Sequence, residues 1–209
     1  MNRANVRLAG VLLLLALALP PMRTFFEASM AWLMLGLMPC LFAAGALAPG
    51  MLSARRQVEM VPRMRPYSLA LGVAATLAYG IWMLPIAVDL SRMSLPMGLA
   101  RDASMVLAGL AASVGLRVAP WPLVLFFGGN MVWMALTFGM LFIDSPNRLC
   151  ASYLLGDQRL AGAGLVVYAA VIGSWLLIRA ARQADAADAA DAGDDDGERV
   201  MTVPSQRKN

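Results

Sequence analysis

Long apolar runs separated by short polar segments make up most of this chain. Most of the runs approach the roughly 20 residues that a helix needs to cross a hydrocarbon core about 30 Å thick. Charged residues lie almost entirely between the runs. We therefore predict an all-α fold, a polytopic transmembrane bundle of about six helices over residues 8–19, 28–47, 67–88, 103–116, 121–143 and 160–178. An earlier start of the fourth helix stays open.

The first run allows two interpretations. It follows Arg3 and Arg7 and stops at Pro20-Pro21, and its Ala16-Leu17-Ala18 has the form of a signal-peptide cleavage site. We favour a retained helix, because the apolar residues continue almost to the two prolines. Cleavage of this segment stays open at this point.

The overall composition agrees with a chain surrounded by lipid. Of its 209 residues, 60% are hydrophobic and 14% are charged, with a mean hydropathy of +0.66. A soluble domain carries about 25% charged residues, so this chain lacks the polar surface that would cover a water-soluble globule. The lipid bilayer is its predicted surroundings.

Arginines indicate which way the bundle sits. The segment 53–66 contains four of them against Glu59, and such basic loops stay on the cytoplasmic side. Counting spans outwards from this loop places the N-terminus and the C-terminus in the cytoplasm. The arginines that agree are Arg3, Arg7, Arg55, Arg56, Arg63, Arg65, Arg117, Arg179 and Arg182.

The chain divides into a transmembrane helical domain, 1–182, and an acidic tail, 183–209. The tail repeats Asp-Ala-Ala, carries seven acids and has almost no apolar bulk, so we predict a disordered cytoplasmic segment. It is either a solvated tail or a docking segment for a partner.

Several function classes are disfavoured by what the sequence lacks. There is no histidine, which removes histidine-ligated haem, histidine-ligated zinc and imidazole acid–base catalysis. No P-loop, Gly-x-Ser-x-Gly or paired-carboxylate motif occurs, so we predict that the chain is not an enzyme. The pI near 9.6 reflects basic loops and no nucleic-acid motif, so we predict no nucleic-acid partner.

Three sulfur-containing residues and one carboxylate are candidate metal ligands on the predicted external side. Met30, Met34 and Met38 are four residues apart and share one helix face. Thioethers are soft ligands that suit Cu(I), although methionine is also a flexible packing residue. Cys150 is a lone thiol in a predicted external loop, where it either binds Cu(I), forms a mixed disulfide or packs as a small hydrophobe.

Asp89 lies one turn after Pro85, which should kink its span. It is a possible ligand, a proton relay or, as we favour, a salt-bridge partner of Arg92 or Arg101. The candidate metal site is therefore Met30, Met34, Asp89 and Cys150, with Cu(I) as the possible ion and no other cofactor predicted.

Three short motifs resemble the CtaG-like integral-membrane cytochrome c oxidase assembly proteins. They are Glu27-Ala28-Ser29-Met30 leading to Pro39, Trp82-Met83-Leu84-Pro85 with Asp89, and Asp157-Gln158-Arg159-Leu160-Ala161-Gly162. The last is similar to the family's Asp-Gln-x-Leu-Gly-Gly element. The likeness covers roughly residues 26–168.

This resemblance implies an accessory or assembly factor for a haem–copper cytochrome c oxidase in the bacterial inner membrane. Copper delivery at the external face would be its specific task, with oxidase subunits as partners. Family members carry histidines where this chain has Leu33 or Ala31, and Met83. The alternatives are a structural membrane subunit of a larger complex and a small transporter or channel subunit.

Overall fold

The structure is a computed structural model that describes residue 10, residues 19–51 and residues 53–201, and every regular element in these ranges is a helix. The all-α prediction is therefore confirmed. In chain order the helices are α1 Pro20–Glu27, α2 Met30–Gly50, α3 Ala54–Met64, α4 Ser68–Ile81, α5 Pro85–Met93, α6 Leu95–Val118, α7 Trp121–Asp144 and α8 Leu155–Met201.

Four of these helices are long and apolar enough to cross a membrane: α2, α6, α7 and the Leu155–Ala186 part of α8. The bent pair Arg55–Ile81 and Pro85–Met93 would supply a fifth span. This is the architecture of a membrane protein. The predicted span 8–19 lies almost entirely outside the described residues, so the count of six stays a prediction.

The predicted span 67–88 is broken in the structure. Helix α4 ends at Ile81, α5 starts at Pro85, and the two axes differ by 74°. Because a proline ring cannot continue a preceding helix and suits its first turn, Pro85 ends one helix and begins another. The predicted kink is confirmed, and it is sharp enough to turn α5 away from the axis of α4.

Two further boundaries differ from the predictions. Helix α6 begins at Leu95 rather than near residue 103, with Pro96 in its first turn. The arginine segment 53–66, predicted as a loop, forms α3, where the Ser53 hydroxyl accepts a hydrogen bond from the backbone N–H of Arg56. This is an N-cap.

Helix α2 contains a π-helical segment, Leu33–Leu37, just before Pro39. Pro39 has no N–H to donate back along the helix. The Tyr168 hydroxyl of α8 donates to the Leu35 carbonyl oxygen at 2.6 Å and supplies the missing partner. This bond joins α8 to α2 inside the bundle.

Glycines allow α2 and α6 to cross with their backbones in contact. A Cβ atom on Gly45 would lie 1.9 Å from the Val106 carbonyl oxygen, and one on Gly109 would lie 1.9 Å from the Phe42 carbonyl oxygen. Small residues let helices approach closely where lipid provides no hydrophobic driving force. Helix α8 packs mainly against α7, and α6 packs against both α2 and α4.

Helix α8 continues in the structure to Met201, through most of the segment predicted to be disordered. Residues 181–186 are exposed throughout. Nothing in the fold tests the division at residue 182, and the disordered tail stays a prediction.

The helix directions give the bundle two ends with different charge. The "neutral end" comprises residues 19–30, 82–102 and 144–159, and the "basic end" comprises residues 53–66, 117–121 and 179–186. The neutral end balances Arg23, Arg92, Arg101, Arg148 and Arg159 with Glu27, Asp89, Asp102, Asp144 and Asp157. The basic end sets Arg55, Arg56, Arg63, Arg65, Arg117, Arg179 and Arg182 against Glu59 and Asp185.

Candidate functional site at the neutral end

Arg101 is the centre of a buried polar network at the neutral end. Its side chain is fully buried in the second turn of α6. One terminal nitrogen donates to Glu27 Oε1 of α1 at 2.9 Å, and the other donates to Ser91 Oγ of α5 at 3.2 Å. Nε donates to Asp102 Oδ1 at 3.0 Å. The guanidinium thus joins three helices.

Arg23 completes the network from α1. It forms an ion pair with Asp102 and lies 3.9 Å from Glu27 Oε1. Two arginines and two carboxylates therefore neutralise one another. A buried charge is tolerated only with such partners, and removal of one partner typically costs about 3–5 kcal/mol. The network fixes α1 and α5 against the first turns of α6.

Trp82 extends these contacts to the helix break. Its indole Nε1 donates to Ser104 Oγ at 2.6 Å, and the Ser104 hydroxyl donates to the Arg101 carbonyl oxygen at 2.9 Å. The break between α4 and α5 is therefore held against α6.

Asp89 holds the loop between α7 and α8. Its two carboxylate oxygens accept hydrogen bonds from the backbone N–H groups of Ala151, at 2.8 Å, and Ser152, at 3.2 Å. Among the described residues it forms no salt bridge, so the favoured pairing with Arg92 or Arg101 is wrong. Arg92 instead lies over the ring of Tyr153, with its guanidinium carbon 5.0 Å from the ring centroid.

Cys150 lies next to the contact between Asp89 and the α7–α8 loop, and only 1% of its surface is exposed. Its Sγ is 3.7 Å from the Pro85 carbonyl oxygen, to which the thiol donates. Burial, reinforced by the negative charge of Asp89, raises the pKa of the Cys150 thiol to about 12. Because the thiolate is the nucleophile and the metal ligand, the resting thiol is neutral and inert near pH 7.

Tyr153 connects the same loop to α1. Its hydroxyl donates to the Glu27 carbonyl oxygen at 3.4 Å. Burial raises the pKa of Tyr153, and the nearby Arg92 opposes that rise. The tyrosine therefore stays protonated and able to donate.

Three of the four predicted ligands belong to one buried apolar cluster. Met30, Met34 and Cys150 share it with Met83, and all four are at most 2% exposed. Asp89 is adjacent through its loop contacts. The structure thus places three of the predicted residues in the same cluster of 17 buried residues, which contains thioethers and a thiol, the soft donors that Cu(I) prefers.

Other metal-binding side chains are scarcer. Within the described ranges no group of three or more histidine, cysteine, aspartate or glutamate side chains could hold a metal ion. Each Asp89 oxygen also already accepts a backbone hydrogen bond. Any bound copper would therefore depend on the methionine sulfurs, with Cys150 as a ligand only after losing its proton.

Gln158 is a structural residue whose role the sequence did not reveal. It is 2% exposed, its Oε1 accepts from the Leu149 N–H at 2.8 Å, and its Nε2 donates to the Phe142 carbonyl oxygen at 3.2 Å. It pins the α7–α8 loop to the start of α8. Asp157, its neighbour, is only partly buried. The Asp157-Gln158 motif was the available signal.

Comparisons with known proteins identify no relative: no family model matches the chain, no curated protein matches it, and no solved structure matches it. The likeness to oxidase assembly proteins therefore depends on the quoted motifs alone.

Proposed function

We propose that this chain is a non-enzymatic accessory or assembly factor for a haem–copper cytochrome c oxidase in the bacterial inner membrane. It would cross the membrane six times, with both termini in the cytoplasm. The observation that carries the proposal is the meeting of all three resemblance motifs at the neutral end.

Hydrogen bonds to the loop between α7 and α8 connect the motifs there. Tyr153 bonds to Glu27 of the first motif, and Asp89 of the second motif holds the loop at Ala151 and Ser152. Gln158 of the third motif holds the other side of that loop. Segments distant in sequence thus form one rigid surface, as expected of residues that act together on a partner.

Charge supports the orientation. The basic end carries five more arginines than acids, whereas the neutral end carries equal numbers. An excess of arginine is retained on the cytoplasmic side. The neutral end would then face outward, where an oxidase receives copper.

Copper delivery is the specific form of this proposal. Met30, Met34 and Met83 supply thioethers in one buried cluster. A Cu(I) ion entering it would lower the pKa of the Cys150 thiol and add a thiolate ligand, since metal binding and ligand deprotonation are coupled. The chain's own part would be to exclude water and present soft ligands.

A structural subunit is the second candidate, favoured by a different observation. Asp89 and Cys150 are already hydrogen-bonded to backbone atoms, and the Arg101 network is internally neutral. A surface satisfied in this way can serve as a rigid platform without any metal.

Deletion of the gene, followed by measurement of cytochrome c oxidase activity and of oxidase haem spectra in isolated membranes, tests the proposal. Both should fall in the deletion strain and recover with the wild-type gene. Unchanged activity and spectra would refute it.

Two variants separate the candidates. Met34→Leu and Cys150→Ser should fail to restore activity if the chain delivers copper, and should restore it if the chain is a platform. Met140→Leu is the matched control, because Met140 is 49% exposed on α7. Immunoblots of membrane fractions would establish that each variant accumulates.

A further inference from the structure

An apolar cavity of about 480 Å³ lies in the half of the bundle near the basic end. It is bounded by α2, α4, α6, α7 and α8, and small residues such as Ala75, Ala112 and Gly115 leave the space open. Its volume is in the range of about 300–1,000 Å³ that small-molecule sites occupy. Apolar cavities of this kind stay dry and take up apolar ligands.

A second cavity of about 250 Å³ adjoins the first towards the basic end. The two share Leu116, Ala119, Val124 and Trp175 as wall residues. The walls particular to the second are Trp121, Arg179 and Gln183. An apolar chamber therefore adjoins a smaller one that presents a cation, an amide and an indole.

Arg179 is the charged group of this outer chamber. Its guanidinium carbon lies 5.4 Å from the Trp175 ring centroid, which orients it beside the cavity mouth. Its side chain is exposed, and it forms no ion pair with any carboxylate of residues 19–51 and 53–186. Tryptophans at this depth are typical of the membrane–water interface.

We infer that the two chambers bind one anionic phospholipid, with an acyl chain in the apolar cavity and the phosphate at Arg179. An ionic solute would lose its hydration among apolar walls, and a zwitterionic lipid would bring its own ammonium group to the guanidinium of Arg179. Basic pockets between membrane helices are a recurrent site for anionic headgroups. This inference does not depend on the proposed oxidase role.

Native mass spectrometry of the full chain in mild detergent tests the inference. Phosphatidylglycerol and phosphatidylcholine with the same acyl chains are the probes, so that the headgroup alone differs. We expect one phosphatidylglycerol to be retained in preference to phosphatidylcholine. Equal retention of both lipids, or retention of neither, would overturn the inference; the latter would indicate that protein fills the cavity.

Variants localise the site. Arg179→Gln should weaken phosphatidylglycerol binding about tenfold or more, the expected size for a lost hydrogen bond to a charged group, and should weaken phosphatidylcholine binding less. Arg182→Gln removes the same charge one turn away, outside both cavity walls, and should have little effect. Equal effects of the two variants would show a general surface attraction and contradict the site.

Variants that fill the apolar cavity test whether an acyl chain occupies it. Gly115→Leu should reduce retention of both lipids, because its side chain would enter the cavity. Ala112→Val is a milder second variant if the first does not fold. Quenching of tryptophan fluorescence by brominated phosphatidylglycerol should fall in parallel. Full retention of phosphatidylglycerol and full quenching in a folded filled variant would contradict the acyl-chain placement.

Discussion

The neutral end buries one of its five arginines fully and one partly, and exposes Arg92, Arg148 and Arg159, whereas the basic end exposes all seven of its arginines. At the neutral end, Arg101 is fully buried and Arg23 is partly buried, and both are paired with the carboxylates of Glu27 and Asp102. At the basic end all seven arginines are exposed, and the described structure shows one ion pair among them, between Arg55 and Glu59 at 2.9 Å.

This difference separates arginines that stabilise the fold from arginines that are exposed to the surroundings. Buried pairs hold helices together because their loss leaves an uncompensated charge. Exposed pairs contribute about 0–1 kcal/mol, so exposed arginines add little to folding. They remain available to lipid headgroups and to the cytoplasmic side of a bilayer. The neutral end is therefore expected to be the stability-determining end.

The largest expected effect is at Arg101. Arg101→Leu should lower the free energy of unfolding by about 3 kcal/mol, because the partly buried carboxylates of Glu27 and Asp102 would lose the fully buried guanidinium that pairs with both. Denaturant unfolding in detergent micelles measures it. Arg117→Leu, at the exposed basic end, should change stability by about 0.5 kcal/mol or less. Equal losses in the two variants would contradict the contrast between the ends.

A smaller difference in stability is expected between variants at two glycines of α6. Gly109 lies at the crossing with α2, and Gly115 lines the apolar cavity. Gly109→Ala should cost about 3 kcal/mol or slightly less, because the added Cβ would lie 1.9 Å from the Phe42 carbonyl oxygen. Gly115→Ala should cost nothing, since the nearest atom to its added Cβ is Leu71 Cβ at 3.8 Å. Thermal unfolding of the two variants compares them directly. A loss in Gly115→Ala as large as that in Gly109→Ala would disprove the open space near the basic end.

The bond between α8 and α2 should contribute less again. Tyr168→Phe removes the hydroxyl that donates to the Leu35 carbonyl oxygen, at an expected cost of about 1–3 kcal/mol. The control is Tyr67→Phe, whose ring is 57% exposed and which should be neutral. The midpoints of denaturant unfolding curves with equal m-values would show the difference in stability. An unchanged midpoint in Tyr168→Phe would show that another donor reaches the Leu35 carbonyl oxygen.

Cys150 gives a chemical test of the closed neutral end. In a Cys40→Ala background, a maleimide reagent at pH 8 should leave the folded chain unlabelled and label it after unfolding, since burial raises the pKa of the thiol to about 12. The same pKa shift predicts how the stability of the folded chain depends on pH. The folded chain holds this proton more tightly, so its contribution is complete below pH 9 and is lost as the pH rises towards 12. Rapid labelling of the folded chain would show that the loop opens.

Some of the fold could be predicted because its signals are local. Span 121–143 was predicted almost to the residue, as α7 runs Trp121–Asp144, because prolines and an acid flank a clean apolar run. The sequence predicts the start of α6 near residue 103, with an earlier start open, because Leu95–Arg101 contains Arg101, whose burial depends on Glu27, 74 residues away in sequence. Hydropathy carries no trace of such a partner.

The candidate site likewise combines features that the local sequence predicts with features that depend on distant residues. Helical spacing put Met30 and Met34 on one face, and both lie in the same cluster as Cys150. The role of Asp89 was wrong, because backbone N–H groups of a distant loop compete with arginines for its oxygens. Backbone donors leave no signature in the side-chain sequence.

The copper-to-haem ratio of the haem–copper oxidase tests the proposed function most directly. It would be measured by mass spectrometry of metals on oxidase purified from a strain lacking this chain and from the same strain carrying the wild-type gene. We expect the ratio to fall without the chain and to return with it. An oxidase with full copper and full activity in the deletion strain would contradict the account.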